Sequence, residues 1–154
     1  MKIPLRVQQA AGGPKPFAYA VIYAPNYKIR GKRIRLFLDT GAHESTICEK
    51  DALVLGVRYN RLGRPRKFVG VGGCSIQGFR MKDVILRFRD EKDEVISFNF
   101  PEIFVLKSTQ KDVKTAEASK IIPSILGMRF LIENGFTFYY DPLNKIAFLE
   151  KSEE

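Results

Sequence analysis

Short apolar segments, most of them about five to eight residues long, recur through this chain, each closed by proline, glycine or a charged turn at intervals of about eight to twelve residues. That rhythm leaves room for many strands and few helices. Phe17–Ala24 is aromatic and β-branched and sits between Pro16 and Pro25, and Arg33–Leu38 runs into Asp39. Lys67–Val71 and Ser75–Phe79 flank Gly72-Gly73 in the manner of a glycine-rich hairpin. Asp83–Arg89 and Val95–Phe100 alternate apolar and polar residues around the charged stretch Asp90–Glu94, and Glu102–Leu106 follows as another strand. Phe136–Tyr140 and Lys145–Leu149 make a final pair. Glu49–Leu55, stopped by Gly56, and Met128–Asn134, closed by Gly135, have helical character. Lys107–Lys120 is polar without apolar periodicity and is expected to be a surface loop or a short exposed helix. Many short strands with one or two short helices predict an all-β barrel or sandwich. The 154 residues fit one domain, 1–154, with its core over about 17–149.

Composition excludes several classes. Apolar residues make up 45% and charged residues 28%, the balance of a soluble globular domain. No apolar run approaches the roughly eighteen residues of a membrane helix, so no membrane partner is expected. Met1–Pro16 carries Lys2, Arg6 and Lys15 and has no apolar core of a secretion signal. With two cysteines, Cys48 and Cys74, the expected setting is the reducing cytoplasm. Those cysteines and the single His43 cannot furnish four zinc ligands, and no metal or cofactor is expected.

Charge is unevenly spread. Residues 1–67 hold 14 Lys/Arg against 4 Asp/Glu, a net of +10, whereas residues 68–154 hold 12 against 13, a net of −1. One cluster is Lys28, Arg30, Lys32, Arg33 and Arg35; the other is Arg58, Arg61, Arg64, Arg66 and Lys67. A patch for nucleic acid or an acidic polypeptide is one reading. A solvated loop and an outward strand face is the favoured one, because no aromatic interleaving or nucleic-acid-binding motif accompanies the charge.

One motif carries chemistry: Leu36-Phe37-Leu38-Asp39-Thr40-Gly41-Ala42. Asp39 follows three apolar residues at the end of a strand expected to be buried, where a carboxylate is costly unless bonded, paired or functional. Thr40 puts a hydroxyl beside it, and Gly41 lets the chain turn and a ligand approach. The alternative is a turn-forming Asp that bonds its own backbone. Other candidates are weaker. Gly70-Val71-Gly72-Gly73 lacks the lysine of a phosphate loop and leads into a strand. No nucleophile-elbow pattern surrounds Ser45 or Cys48 beside His43. Cys74 reads as a small neutral filler.

Three segments in order resemble the single-lobe aspartic proteases of the retropepsin type. Leu36–Ala42 resembles their active-site segment, Phe68-Val69-Gly70-Val71-Gly72-Gly73 their glycine-rich flap, and Ser124-Ile125-Leu126-Gly127 with Phe130-Leu131 the apolar pair plus glycine that supports the active-site loop. The resemblance implies a closed or partly open β-barrel with one short C-terminal helix and a flap hairpin. It implies an aspartic endopeptidase that hydrolyses peptide bonds of an extended polypeptide substrate. It also implies a homodimer, and the sequence agrees. None of Asp51, Asp83, Asp90, Asp93, Asp112 and Asp141 is followed by Thr-Gly or Ser-Gly, so a second catalytic carboxyl has to come from a second copy. Asp39, Thr40 and Gly41 are then the catalytic set. Ala42, His43, Val69, Gly70, Val71, Gly72, Gly73, Ile76 and Ile125 are the expected substrate-binding residues, in a dry apolar cleft.

The chain departs from the retroviral pattern in one respect. There, the fourth position after the catalytic Asp is often acidic and pairs with an Arg directly after the supporting glycine. Here those positions are His43 and Met128, with Arg129 one residue later. Ala42 also brings no hydroxyl to the carboxyl pair, which predicts a mildly acidic optimum. Two other function classes remain: a non-catalytic retropepsin-like binding or assembly module, and a nucleic-acid-associated protein that uses the basic first half.

Overall fold

A computed structural model describes residues 1–69, 75–108 and 122–153. The chain is mostly strand, with two short α-helices among the described residues. Ten strands follow in order: β1 (Lys2–Ala10), β2 (Gly13–Ala24), β3 (Ile29–Leu38), β4 (Thr46–Ile47), β5 (Pro65–Val69), β6 (Ser75–Arg89), β7 (Val95–Lys107), β8 (Ile125–Leu126), β9 (Thr137–Asp141) and β10 (Ile146–Glu150). Helix α1 covers Glu49–Leu55 and α2 covers Met128–Asn134. The hydrogen-bonded order is β5-β6-β7-β4-β8-β3-β2-β1-β10-β9, with a further β6–β2 pairing. No helix of the described residues is long and apolar enough to cross a membrane.

Both helices end where glycine directs. Gly56 and Gly135 adopt φ of 75° and 68°, the left-handed conformation that an L side chain resists. The β6–β7 turn is held by Asp90, whose Oδ1 accepts the amides of Lys92 and Glu94 at 2.9 and 2.8 Å. Gly78 lies under the ring of Phe68, and a Cβ there would overlap that ring.

Several strands differ from the expected bounds. β1 was not expected at all, although Ile3 and Leu5 are buried on its inner face. It pairs with β10, matching Lys2 to Glu150 and Leu5 to Ala147. β2 begins at Gly13 and runs through Pro14 and Pro16, because β1 closes a hairpin on it. β6 is one strand and not two, and β7 likewise runs through Pro101. The long pairing from Gln77–Lys107 to Arg89–Val95 carries both across those breaks, with Asp83 at φ 56° opposite Pro101. Most of the expected loop 107–120 lies outside the described residues.

The core lies between β1, β2, β3, β6 and β7 and the two helices. Phe130 and Leu131 are the buried residues of α2. The Phe130 ring stacks on Phe100 at 5.1 Å and 11°, with Phe98 edge-on at 5.1 Å. Burying one such ring stabilises by about 1.5–3 kcal/mol, so this cluster fixes α2 beside β8.

Candidate active site

Asp39 stands one residue beyond β3. Its strand is held from the side by β8 in parallel, Phe37 opposite Ile125 and Leu38 opposite Leu126. The Asp39 amide continues that ladder to the Leu126 carbonyl at 3.3 Å. The chain then turns: the Ala42 amide donates to the Asp39 carbonyl at 3.2 Å, and the Gly41 amide to Asp39 Oδ1 at 2.9 Å. The turn-forming reading of Asp39 is therefore realised on one carboxylate oxygen. Among the described residues, Oδ2 accepts no hydrogen bond. The turn orients the carboxylate instead of consuming it. A Cβ on Gly41 would lie 3.2 Å from Oδ1, so the turn is closest-fitting with glycine. Asp39 and Ala42 are half-buried; Thr40, Gly41 and His43 are exposed.

The other wall of the loop is the start of α2. The first amides of a helix have no partner within it. Here Met128 donates to the Ala42 carbonyl and Arg129 to the His43 carbonyl, both at 2.9 Å. The Gly127 amide donates to Ser45 Oγ at 3.0 Å. Gly127 lies so close that a Cβ would stand 2.5 Å from the His43 carbonyl oxygen and 2.6 Å from the Glu44 carbonyl carbon. This is the physical reason for a glycine after Ile125-Leu126. Two segments far apart in sequence become one plate carrying Asp39.

An ion cluster closes the same junction. Arg129 Nη1 lies 3.4 Å from Glu44 and 3.3 Å from Glu102, and Nε lies 2.7 Å from Glu133. Glu102 also takes Arg80 at 3.2 Å. The hydrogen bond that Arg129 donates to Glu133, then the charge of Glu44, pushes the guanidinium even further toward its protonated form. His43 and Met128 do not make the acid–arginine contact of the retroviral pattern. Glu44 and Arg129 make one instead, each displaced by one position. The common displacement of an acid and an arginine was the available sequence signal.

Ser124 is another residue that the sequence reading did not single out for a role. Its hydroxyl accepts the buried Cys48 amide at 3.0 Å and donates to Asp51 Oδ2 at 2.6 Å. Cys48 is the residue before α1, and Asp51 sits in the first turn of that helix. In a capping box the acid would reach that amide directly; here a hydroxyl from the residue just before β8 is inserted between them. Burial pushes the Cys48 thiol up, against the lowering effect of its bond to Ser124.

The expected substrate residues fall in two places. Asp39 to His43 and Ile125 are brought together by the β3–β8 pairing, with Ile125 half-buried opposite Phe37 and Thr46. Val69 and Ile76 stand on the β5–β6 hairpin, Val69 exposed and Ile76 half-buried opposite Phe68. No hydrogen bond among the described residues joins that hairpin to the Asp39 loop. Gly70, Val71, Gly72, Gly73 and Cys74 lie outside the described residues.

No protein-family model matches the sequence, and a search of curated proteins finds no significant relative. Solved structures do match. A retropepsin-like aspartic protease from Rickettsia conorii superposes with a TM-score of 0.56 at 17% identity, over 97% of this chain and 89% of that one. The protease of EIAV, in complex with the inhibitor HBY-793, gives 0.47 at 19% identity, over 82% of this chain and 93% of that one. The retroviral protease-like domain of Ddi1 from Leishmania major gives 0.44 at 16% identity, over 79% of each chain. The Rickettsia match spans nearly the whole of both molecules. This chain has a retropepsin-like fold.

Proposed function

We propose that the chain is an aspartic endopeptidase that works as a homodimer, one Asp39 from each copy. The observation that carries this reading is the Asp39 carboxylate itself. It sits at the tip of a buried strand with one oxygen fixed by Gly41 and the loop behind it bolted to α2. Hydrolysis by carboxyl groups needs one acid and one base, and two carboxyls sharing a site keep one proton between them because both cannot ionise cheaply. The chain has one Asp-Thr-Gly, so a two-fold axis supplies the second. A water between the pair loses a proton to the ionised carboxyl and attacks the peptide carbonyl. The protonated carboxyl donates to the carbonyl oxygen; as the C–N bond breaks, the proton taken from water passes to the leaving amine and the carbonyl oxygen's proton returns to its carboxyl. No covalent intermediate forms and no cofactor takes part.

In this reading the sheet closes as a partly open barrel. Thr40 bonds across the axis and holds the two loops in register. The Gly70–Gly73 flap folds over an extended peptide, adding main-chain hydrogen bonds and excluding water. Ala42, His43, Val69, Val71, Ile76 and Ile125 line the subsites. The enzyme acts in the cytoplasm.

The test is cleavage of an unbiased peptide library, with and without a statine-type transition-state mimic. Wild type is expected to cleave and to be inhibited. Asp39→Asn is expected to lose cleavage while its unfolding curve and its sedimentation as a dimer stay as in wild type. Equal cleavage by that variant, or a wild type that sediments as a monomer while cleaving, overturns the reading.

A further inference from the structure

The outer face of β2 and its neighbours gathers arginines that the sequence holds far apart. Tyr19, Val21 and Tyr23 alternate with buried residues along β2 and so point away from the core. Register partners across antiparallel strands share a face. Tyr19 is opposite Arg35, and Val21 is opposite both Arg33 of β3 and Arg87 of β6. Arg33, Val21 and Arg87 therefore form a row across three strands, with the two arginine backbones about 10 Å apart. Arg6 of β1 and Arg89 of β6 extend the face. Together they line an open groove of about 820 Å³.

Three of these five arginines are paired with rings. The guanidinium of Arg6 lies 4.9 Å from the Tyr19 ring centre, that of Arg35 lies 4.3 Å from Phe17, and that of Arg87 lies 4.2 Å from Tyr23. The aromatic interleaving missing along the sequence is present across the strands. Arg89 is held by Asp93 at 3.3 Å on one rim. Among the described residues, Arg6, Arg33, Arg35 and Arg87 have no carboxylate within ion-pair distance.

We propose that this face binds single-stranded nucleic acid. A guanidinium held against a ring loses little freedom on binding; Arg35 spends one N–H on Gln8 Oε1 at 3.1 Å, and Arg6 and Arg87 keep the fork for a phosphate. Every cation in the groove is arginine. Tyr19 stays 43% exposed, a surface on which a base can stack. An acidic polypeptide would use the charges and leave that ring without a role. The site does not use Asp39, so it stands whether or not the chain is a protease.

The experiment is fluorescence anisotropy of labelled oligothymidylate and oligouridylate with the full chain, against a polyglutamate peptide of equal charge. Binding is expected to weaken steeply with salt. The double variant Arg33→Glu/Arg87→Glu is expected to lose roughly ten-fold or more in affinity, and Arg61→Glu/Arg64→Glu, which adds the same negative charge elsewhere, far less. Tyr19→Leu is expected to weaken oligonucleotide binding and leave polyglutamate binding unchanged. Should the Glu double variant not fold by circular dichroism, Arg33→Gln/Arg87→Gln replaces it. No oligonucleotide binding at low salt, equal losses from the two double variants, or tighter binding of polyglutamate overturns the proposal.

Discussion

Gly127 and His43 meet where no side chain fits: a Cβ on Gly127 would stand 2.5 Å from the His43 carbonyl oxygen. The obstacle is backbone on both sides, which cannot swing away as a flexible side chain would. Gly127→Ala is therefore expected to destabilise the chain by about 1–3 kcal/mol, through forced separation of the Asp39 loop from α2. Thermal unfolding measures it. An unchanged melting temperature would mean that the two segments are not in this contact.

Arg129 answers three carboxylates at once, Glu44, Glu102 and Glu133. Arg129→Met leaves them facing one another. Because the guanidinium is about one-third exposed, the coupling to Glu44 is expected to be only about 1 kcal/mol. A double-mutant cycle with Glu44→Gln in urea unfolding reads it. The coupling should shrink in high salt; a coupling near zero at low salt would remove the pair from the site's support.

Removal of the Ser124 hydroxyl orphans a buried amide and an acid together. Ser124→Ala is expected to cost about 1–3 kcal/mol, the range for a buried donor left without a partner. Hydrogen exchange at the Cys48 amide should accelerate in the same variant. If that amide stays as protected as in wild type, Ser124 is not its acceptor.

Tyr59 donates its hydroxyl to the Leu106 carbonyl at 2.8 Å, and burial, followed by the nearby Glu49 charge, pushes its pKa up to about 12. The folded state thus favours the neutral phenol. Its contribution to stability is complete below about pH 10, the ordinary tyrosine value, and is lost as pH rises through about 12. The difference in phenolate absorbance between wild type and Tyr59→Phe isolates this titration from the other tyrosines. A difference spectrum centred near pH 10 would contradict the burial.

Ala42 bears on the proposed reaction. With no hydroxyl beside the carboxyl pair, the cleavage rate is expected to peak at mildly acidic pH, and Ala42→Ser is expected to move the peak downward by donating to the ionised form. A wild-type profile peaking below about pH 3, beneath the ordinary carboxyl values near 4, would contradict this.

Local chemistry was readable in the sequence, and remote pairing was not. Glu49–Leu55 with Gly56 and Met128–Asn134 with Gly135 have the expected bounds, because each helix ends on a glycine that must turn left-handed. Leu36–Leu38 before Asp39 was legible because a carboxylate after three apolar residues is costly. β1 was missed because Pro4 and the polar stretch after Val7 mask the alternation of Ile3, Leu5 and Val7, and its partner β10 lies at the other end of the chain. β4, two residues long, has no period to read. The Glu44–Arg129 contact joins positions 85 apart, and its one trace in the sequence is the common one-position displacement of the acid and the arginine.

Because the Met128 and Arg129 amides are spent on the Ala42 and His43 carbonyls, the first turn of α2 and the loop holding Asp39 fray as a single cooperative unit. The carboxylate has no hinge of its own. Whatever stiffens or loosens that helix, even at a ring as remote as Phe100 beneath Phe130, resets how steadily Asp39 is aimed.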